Sequence, residues 1–129
     1  MLKRLMILGA GLFISLVGVV SVSAHHGYAA YDETKVLSLK GTVTNYQEMN
    51  PHSTVSFDTK DEKGKVEHWI AEFGHVRMVR DEGWTPDTLK PGDEVTFYLH
   101  RAKNGELRGA LVKVEFADGR IFWGFSSHK

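Results

Sequence analysis

The chain has 129 residues, with 16 Lys and Arg against 16 Asp and Glu, seven His and no Cys. This length fits one domain. The lack of cysteine excludes disulfides, thiolate metal sites and cysteine nucleophiles. The zero formal charge argues against a dedicated nucleic-acid binder, which would show a basic excess. A hydrophobic fraction of 42% and a charged fraction of 25% are typical of a globular protein rather than a disordered one.

The first segment has the pattern of a secretory signal peptide. Lys3 and Arg4 give a positive start, Leu5 to Val20 is an apolar run without a charge, and Val22-Ser23-Ala24 supplies small residues for a signal peptidase. The run is shorter than the roughly 20 residues that cross a bilayer. We therefore predict export to the periplasm or the medium, with a mature chain that starts at His25. The alternative is a membrane anchor that stays.

The mature chain begins with a segment that has no clear hydrophobic period. We interpret this segment, residues 25–35, as an arm that lies over the domain. Apolar and polar residues then alternate from Val36, and Leu39 and Val43 share one face, which predicts a half-buried strand. Gly41 interrupts the apolar face, where a bulge or a sharp bend is expected.

The rest of the chain predicts short strands separated by turn residues, with one helix. Asn-Pro, Asp-Gly and Pro-Gly pairs mark the turns, and a glycine marks the end of the helix. The predicted elements after the first strand are a loop at Asn50-Pro51, a strand from Val55, a hairpin loop at Asp61–Gly64, a strand at Val66–Phe73 and a helical stretch at Gly74–Glu82. Further strands pass through Val95, Phe97 and Leu99 and through Ala110, Val112, Val114 and Phe116, with a short return at Ile121–Phe125.

This order of elements is that of an OB-fold. In that fold a helix lies between the third and fourth strands of a five-stranded Greek-key barrel. We predict an all-β domain with one short helix, an OB-like antiparallel five-stranded barrel over residues 36–129, after the signal peptide 1–24 and the arm 25–35. Another small antiparallel barrel or a sandwich is the alternative.

The predicted mature N-terminus carries two adjacent histidines, His25 and His26. A free amine and an imidazole on one residue form a chelate, and a second imidazole completes a planar nitrogen set of the kind that Cu(II) prefers. Alternatively, His26 binds through its imidazole, the intervening backbone nitrogen and the terminal amine. Both schemes need cleavage directly after Ala24. Without a metal, the pair is a polar start that helps signal processing and then frays.

Two further side chains are candidate metal ligands. His52 lies in the loop between the first two predicted strands, which belongs to the ligand-binding face of OB-folds, and Pro51 stiffens that loop. Glu72, near the end of the third strand, can serve as a fourth ligand or can hold a histidine tautomer as a hydrogen-bond acceptor. The alternatives are a water-facing His52 and a solvent-facing strand carboxylate at Glu72.

The other histidines and the tryptophans give weaker indications of a function. A structural or exposed role is favoured for each of these histidines. The tryptophans are interpreted as packing residues, and the aromatic end of the chain has no assigned role. These residues are His68, His75, His100 and His128, and Trp69, Trp84 and Trp123.

Several segments taken together resemble a family of small exported bacterial proteins of unknown function. Its members start Ala-His-His after the signal peptide and carry Asn-Pro-His. The resemblance covers nearly the whole mature chain and implies fold and compartment rather than mechanism. It also implies that His25, His26 and His52 belong together. The segments are Ala24-His25-His26-Gly27-Tyr28, Tyr31-Asp32, Leu39-Lys40-Gly41-Thr42-Val43, Asn50-Pro51-His52, Trp69-Ile70-Ala71-Glu72, Gly83-Trp84 and Leu89-Lys90-Pro91-Gly92-Asp93.

The leading hypothesis is a periplasmic OB-like barrel that binds a transition metal, copper above all, through His25, His26, His52 and Glu72. Its role would be metal binding rather than turnover, with no catalytic residue and neither nucleic acid nor membrane as partner after cleavage. The alternative is a metal-free periplasmic binding module for a protein, a glycan or a small ligand. A copper-dependent oxidase ranks lower, because so short a mature chain leaves little room for a substrate surface.

Overall fold

The computed structural model describes residues 29–125, and all structural statements below concern that part of the chain. It contains a sequence of strands interrupted by one short helix. No helix in this range is long and apolar enough to cross a bilayer. The elements are β1 (Leu37–Gln47), β2 (Ser53–Lys60), β3 (Val66–Phe73), α1 (Val76–Asp81), β4 (Glu94–Arg101), β5 (Arg108–Glu115) and β6 (Ile121–Trp123).

Five of these strands close into a small barrel. β1 pairs with β2 and β4, β2 pairs with β3, and β4 pairs with β5, all antiparallel. The barrel closes where β3 and β5 run in parallel, with Ile70 opposite Arg108 and Glu72 opposite Ala110. The predicted all-β barrel with one short helix is confirmed. One pairing differs from the antiparallel pattern predicted: β3 and β5 are parallel, because β1 pairs antiparallel with both β2 and β4, so that β3 and β5 each run in the direction of β1.

One hydrophobic core fills the barrel. Alternate residues of β2, β3 and β4 face inward, and the aromatic rings of Phe57 and Phe97 stack with their centroids 3.7 Å apart. Trp84, which follows α1, packs on Phe73 at the end of the barrel and donates its indole N–H to the Trp123 carbonyl at 2.8 Å. The aromatic residues thus link the barrel to both the helix region and β6.

The bulge of β1 lies at a different position from the one predicted from the sequence. The bulge expected at Gly41 lies instead between Val43 and Asn45, where the register with β2 shifts. Gly41 is needed for close packing, since a Cβ there would lie 2.7 Å from Cδ2 of Phe57. Thr44 is the extra residue of the bulge, and its side chain is exposed.

The fifth strand also departs from the predicted pattern. Simple alternation places Val112 and Val114 on one apolar face, but Leu111 and Val114 are the residues buried in the core. The pairing of β4 with β5 shifts by one residue between Tyr98 and Leu99. This irregularity turns the strand, so that Val112 is partly exposed.

The described part of the arm lies against the ends of β4 and β5. The Asp32 N–H donates to the Arg101 carbonyl at 2.8 Å, and the Lys103 N–H donates to the Ala30 carbonyl at 2.9 Å. Tyr31, between them, forms an isolated bridge with Ala102 and is only 6% exposed. The chain is therefore fixed to the barrel from Ala30 onward.

Candidate functional site

The loop between β1 and β2 is held in place at several points. The Asn50 side-chain oxygen accepts the N–H of Val76, the first residue of α1, at 3.1 Å. The Ser53 hydroxyl accepts the Met49 N–H at 3.2 Å. His52 extends from this loop with its side chain 40% exposed. The Asn-Pro-His segment therefore presents an accessible imidazole on an ordered loop.

Glu72 lies on the outer face of β3 and has three partners. Its Oε1 atom accepts the Tyr31 hydroxyl at 2.9 Å and the Arg108 Nη2 group at 2.7 Å. Its Oε2 atom faces Nδ1 of His52 at 3.8 Å. The structure thus brings together two of the predicted site residues, His52 and Glu72, and adds two partners that the sequence did not indicate.

The barrel topology explains why these side chains meet. The parallel pairing of β3 with β5 puts Arg108 beside Glu72. The bridge between the arm and the end of β4 puts the Tyr31 hydroxyl on the same carboxylate. His52 enters from the loop before β2, which is the neighbour of β3. No two of these four residues are close in sequence.

Both hydrogen-bond donors to Glu72 hold their protons strongly. Burial, with the Glu72 hydrogen bond as the second cause, raises the pKa of Tyr31 from 10.0 to about 12. The hydrogen bond to Glu72 is the main cause that raises the pKa of Arg108. At neutral pH, Tyr31 is therefore a neutral donor and Arg108 a cationic one, and both direct their hydrogen bonds to one carboxylate oxygen.

A second Tyr–Glu–Arg cluster provides an internal comparison. Glu48 accepts the Tyr46 hydroxyl on Oε1 at 2.9 Å and the Arg80 Nε group on Oε2 at 2.7 Å, and its side chain is 7% exposed. Both oxygens of Glu48 are thus used to join β1 to α1. Glu72 takes both donors on one oxygen and is 23% exposed, which leaves its other oxygen directed at an imidazole.

The remaining described histidines have other contacts. Nδ1 of His68 lies 2.5 Å from an Asp58 carboxylate oxygen, and Nδ1 of His100 lies 2.8 Å from the Lys35 carbonyl. His75 is the N-cap of α1 and accepts the Met78 N–H. His128 lies outside the described residues.

The predicted metal set is only partly within the described range. His25 and His26 lie outside it. Within residues 29–125, no group of three or more His, Cys, Asp or Glu side chains is arranged to hold a metal ion. The described part of the site therefore offers one imidazole, His52, and one oriented carboxylate, Glu72.

Comparison with known proteins gives a family without a function. Residues 14–112 match the model of a family of unknown function, DUF6152. The chain belongs to this family. The DUF6152 match includes Tyr31, His52, Glu72 and Arg108 and ends before β6. No curated protein and no solved structure matches the chain, so the function of this DUF6152 protein must be argued from its site.

Proposed function

We propose that the protein is exported and binds one transition-metal ion, with copper favoured. The ligands are the amine and imidazole of His25 and the imidazoles of His26 and His52. Glu72 orients the His52 ring as a hydrogen-bond acceptor instead of binding the metal directly. The sequence that supports export is the positive, apolar and small-residue pattern of residues 1–24.

The single observation that carries the proposal is the arrangement around Glu72. Tyr31 and Arg108 both donate to Oε1, and Oε2 lies 3.8 Å from Nδ1 of His52, longer than a hydrogen bond, so a small movement of the ring is needed to form one. Histidines that bind metals commonly donate the second ring N–H to a carboxylate, which fixes the tautomer and leaves Nε2 for the metal. This geometry favours Glu72 as the orienting group, one of the two roles that its position in the sequence allows.

The position of the arm also supports the proposal. Tyr31 is fixed on the barrel with its hydroxyl on Glu72. An extended chain covers at most about 3.3–3.6 Å per residue, so five residues reach up to about 17 Å. His26 is five residues before Tyr31 and His25 is six, so both are within chain reach of the Glu72 region. A set made only of nitrogen ligands matches the preference of Cu(II).

The deciding experiment is native mass spectrometry and calorimetric titration of the processed protein with Cu(II). We expect one retained copper per chain that starts at His25. One extra residue before His25 should abolish tight binding, because the amine is then displaced from the chelate. His52→Ala should weaken binding at least tenfold, and Glu72→Gln should weaken it by roughly 10- to 100-fold, the usual effect of removing a group that orients a ligand.

The chain offers a matched control for the imidazole. His68 also faces a carboxylate through Nδ1, but on the opposite half of β3, so His68→Ala should leave the copper affinity unchanged. If the protein that starts at His25 binds copper no more tightly than the variant with the extra residue, the metal hypothesis is wrong. Export is tested separately, by the intact mass of the protein recovered from the periplasmic fraction.

A further inference from the structure

An open groove of about 450 Å³ lies on the outer face of β1, β2 and β3. This volume is within the range of roughly 300–1,000 Å³ that is usual for small-molecule sites. Its lining residues on β3 are two to four positions from Glu72, about 7–13 Å at the usual rise of a strand. The groove is therefore adjacent to the His52–Glu72 site, but its lining includes neither His52 nor Glu72. It is lined by Thr44, Ser56, Asp58, His68, Trp69 and Ile70.

The groove is built on strands with buried inner faces. The register of β2 with β3 places Asp58 opposite His68 and Ser56 opposite Ile70. The intervening residues of both strands face the core. The bulge of β1 adds Thr44 to the wall, and bulges commonly redirect a side chain beside a functional site. The shape of the groove is thus fixed by the sheet and does not need a ligand to form.

The lining combines hydrogen-bonding groups with one apolar surface. Asp58 and His68 hold each other in place through a contact of 2.5 Å, and the His68 side chain is 81% exposed. The hydroxyls of Ser56 and Thr44 can each donate and accept hydrogen bonds. Ile70, opposite Ser56, supplies an apolar contact on the β3 side of the groove. Such a lining matches a ligand with many hydroxyl groups and hydrophobic C–H faces.

The charge of the groove selects among possible ligands. OB barrels use the outer face of strands two and three for oligonucleotides or oligosaccharides. Nucleic acids require Lys or Arg against their phosphates, but among residues 29–125 the groove is lined by one carboxylate and by no Lys or Arg. We propose that this groove binds a neutral carbohydrate chain, whose hydroxyls bond to Asp58, Ser56 and Thr44 and whose C–H face packs on Ile70. This proposal does not depend on the metal site.

The test is a nitrogen–proton NMR titration of the processed protein with two probes. These are the β-1,4-linked trimers of glucose and of N-acetylglucosamine. We expect saturable shifts at the amides of Ser56, His68 and Ile70 with at least one trimer. Asp58→Asn should weaken binding about tenfold or more, because a hydrogen bond to a charged carboxylate is stronger than one to a neutral amide oxygen.

The matched control is Asp118→Asn, which changes an exposed carboxylate in the turn before β6 that is paired with Arg120. This variant should bind the sugar as the wild type does. The proposal fails if neither trimer shifts the groove amides at tens of millimolar, or if Asp58→Asn binds as tightly as the wild type. It also fails if a polyamine produces these shifts and the sugars do not, since the groove would then select a cation.

Discussion

At the residue scale, Glu48 and Glu72 each accept a tyrosine hydroxyl, but the positions of their hydrogen-bond donors give them different roles. Glu48 has donors on both oxygens and joins a strand to a helix. Glu72 has two donors on one oxygen, so the other remains available to His52. A sequence contains no information about which oxygen is occupied. The distinction depends on where Tyr31 and Arg108 stand in three dimensions.

Tyr31→Phe tests the hydrogen bond to Glu72. Since the folded pKa of Tyr31 is about 12, above its ordinary value of 10.0, the neutral hydroxyl stabilises the fold fully below pH 10. This contribution is lost as the pH rises toward 12. We expect the variant to be about 1 kcal/mol less stable at neutral pH. Its stability should also fall less steeply between pH 10 and pH 12, as measured by urea unfolding.

Tyr46→Phe is the comparison for this prediction. It removes a second tyrosine, partly buried, whose pKa is raised chiefly by burial, but it leaves Glu72 untouched. Both variants should show one fewer late-titrating tyrosine in ultraviolet absorbance. Only Tyr31→Phe should weaken copper binding. Equal copper affinity for the two variants would contradict the role given to Tyr31.

At the scale of the elements, the loop that carries His52 is hydrogen-bonded to the start of the helix that follows β3. Asn50 accepts the N–H of Val76, and the Ser53 N–H donates to the Gly74 carbonyl at 3.0 Å. The loop before β2 is thereby joined to the start of α1. This contact gives the Asn of the Asn-Pro-His segment a structural role, and the imidazole of His52 remains partly exposed.

Asn50→Ala should release this connection. The loss of a side-chain acceptor at a helix N-terminus costs about 1 kcal/mol, so we expect a comparable loss of stability in thermal unfolding. Because the loop would then be less ordered, the amides of Met49 and His52 should exchange faster with solvent. Unchanged exchange in this loop would show that Asn50 does not order it.

The irregularity of β5 at Val112 gives a second prediction at this scale. Leu111 is fully buried, whereas Val112 is partly exposed. Leu111→Ala should therefore cost about 2–5 kcal/mol, and Val112→Ala less than about 1 kcal/mol. Chemical denaturation of the two variants measures the difference. If Val112→Ala lost more stability than Leu111→Ala, Val112 would face the core, as simple alternation along the sequence predicts.

At the scale of the whole molecule, one core joins all five barrel strands to α1. Buried residues from each strand contact one another and Val79 of the helix. The parallel pairing of β3 with β5 closes this core and also assembles the Glu72 cluster. The fold and the candidate site therefore depend on the same long-range contact.

A single closed core should unfold in one cooperative step. We expect the midpoints of urea unfolding from tryptophan fluorescence and from far-ultraviolet circular dichroism to coincide, since Trp69 and Trp84 are both buried in this core. Two separated midpoints would show that part of the barrel unfolds independently. The protein would then lack the single core described above.

The sequence by itself determined the local structure of this protein. Alternation predicted the strands, since a half-buried strand exposes every second side chain, and the bounds Val66–Phe73 agree with the structure. Glycine and proline predicted the turns, because these residues control which backbone angles are accessible. The order of the elements then predicted the barrel. Residue chemistry singled out His52 and Glu72 as candidate ligands, but only the structure shows that Nδ1 of His52 lies 3.8 Å from Oε2 of Glu72.

Only the tertiary structure decided the contacts that make a site. The parallel pairing and the docking of Tyr31 each join segments that are far apart in sequence. The shift in register between β4 and β5 decides that Leu111 rather than Val112 is buried. Arg108 and Tyr31 reach Glu72 across 36 and 41 positions of the chain. Hydrophobic periodicity shows which face of a strand is buried, but not which strand lies beside it. The partners of Glu72 are fixed by how the barrel closes.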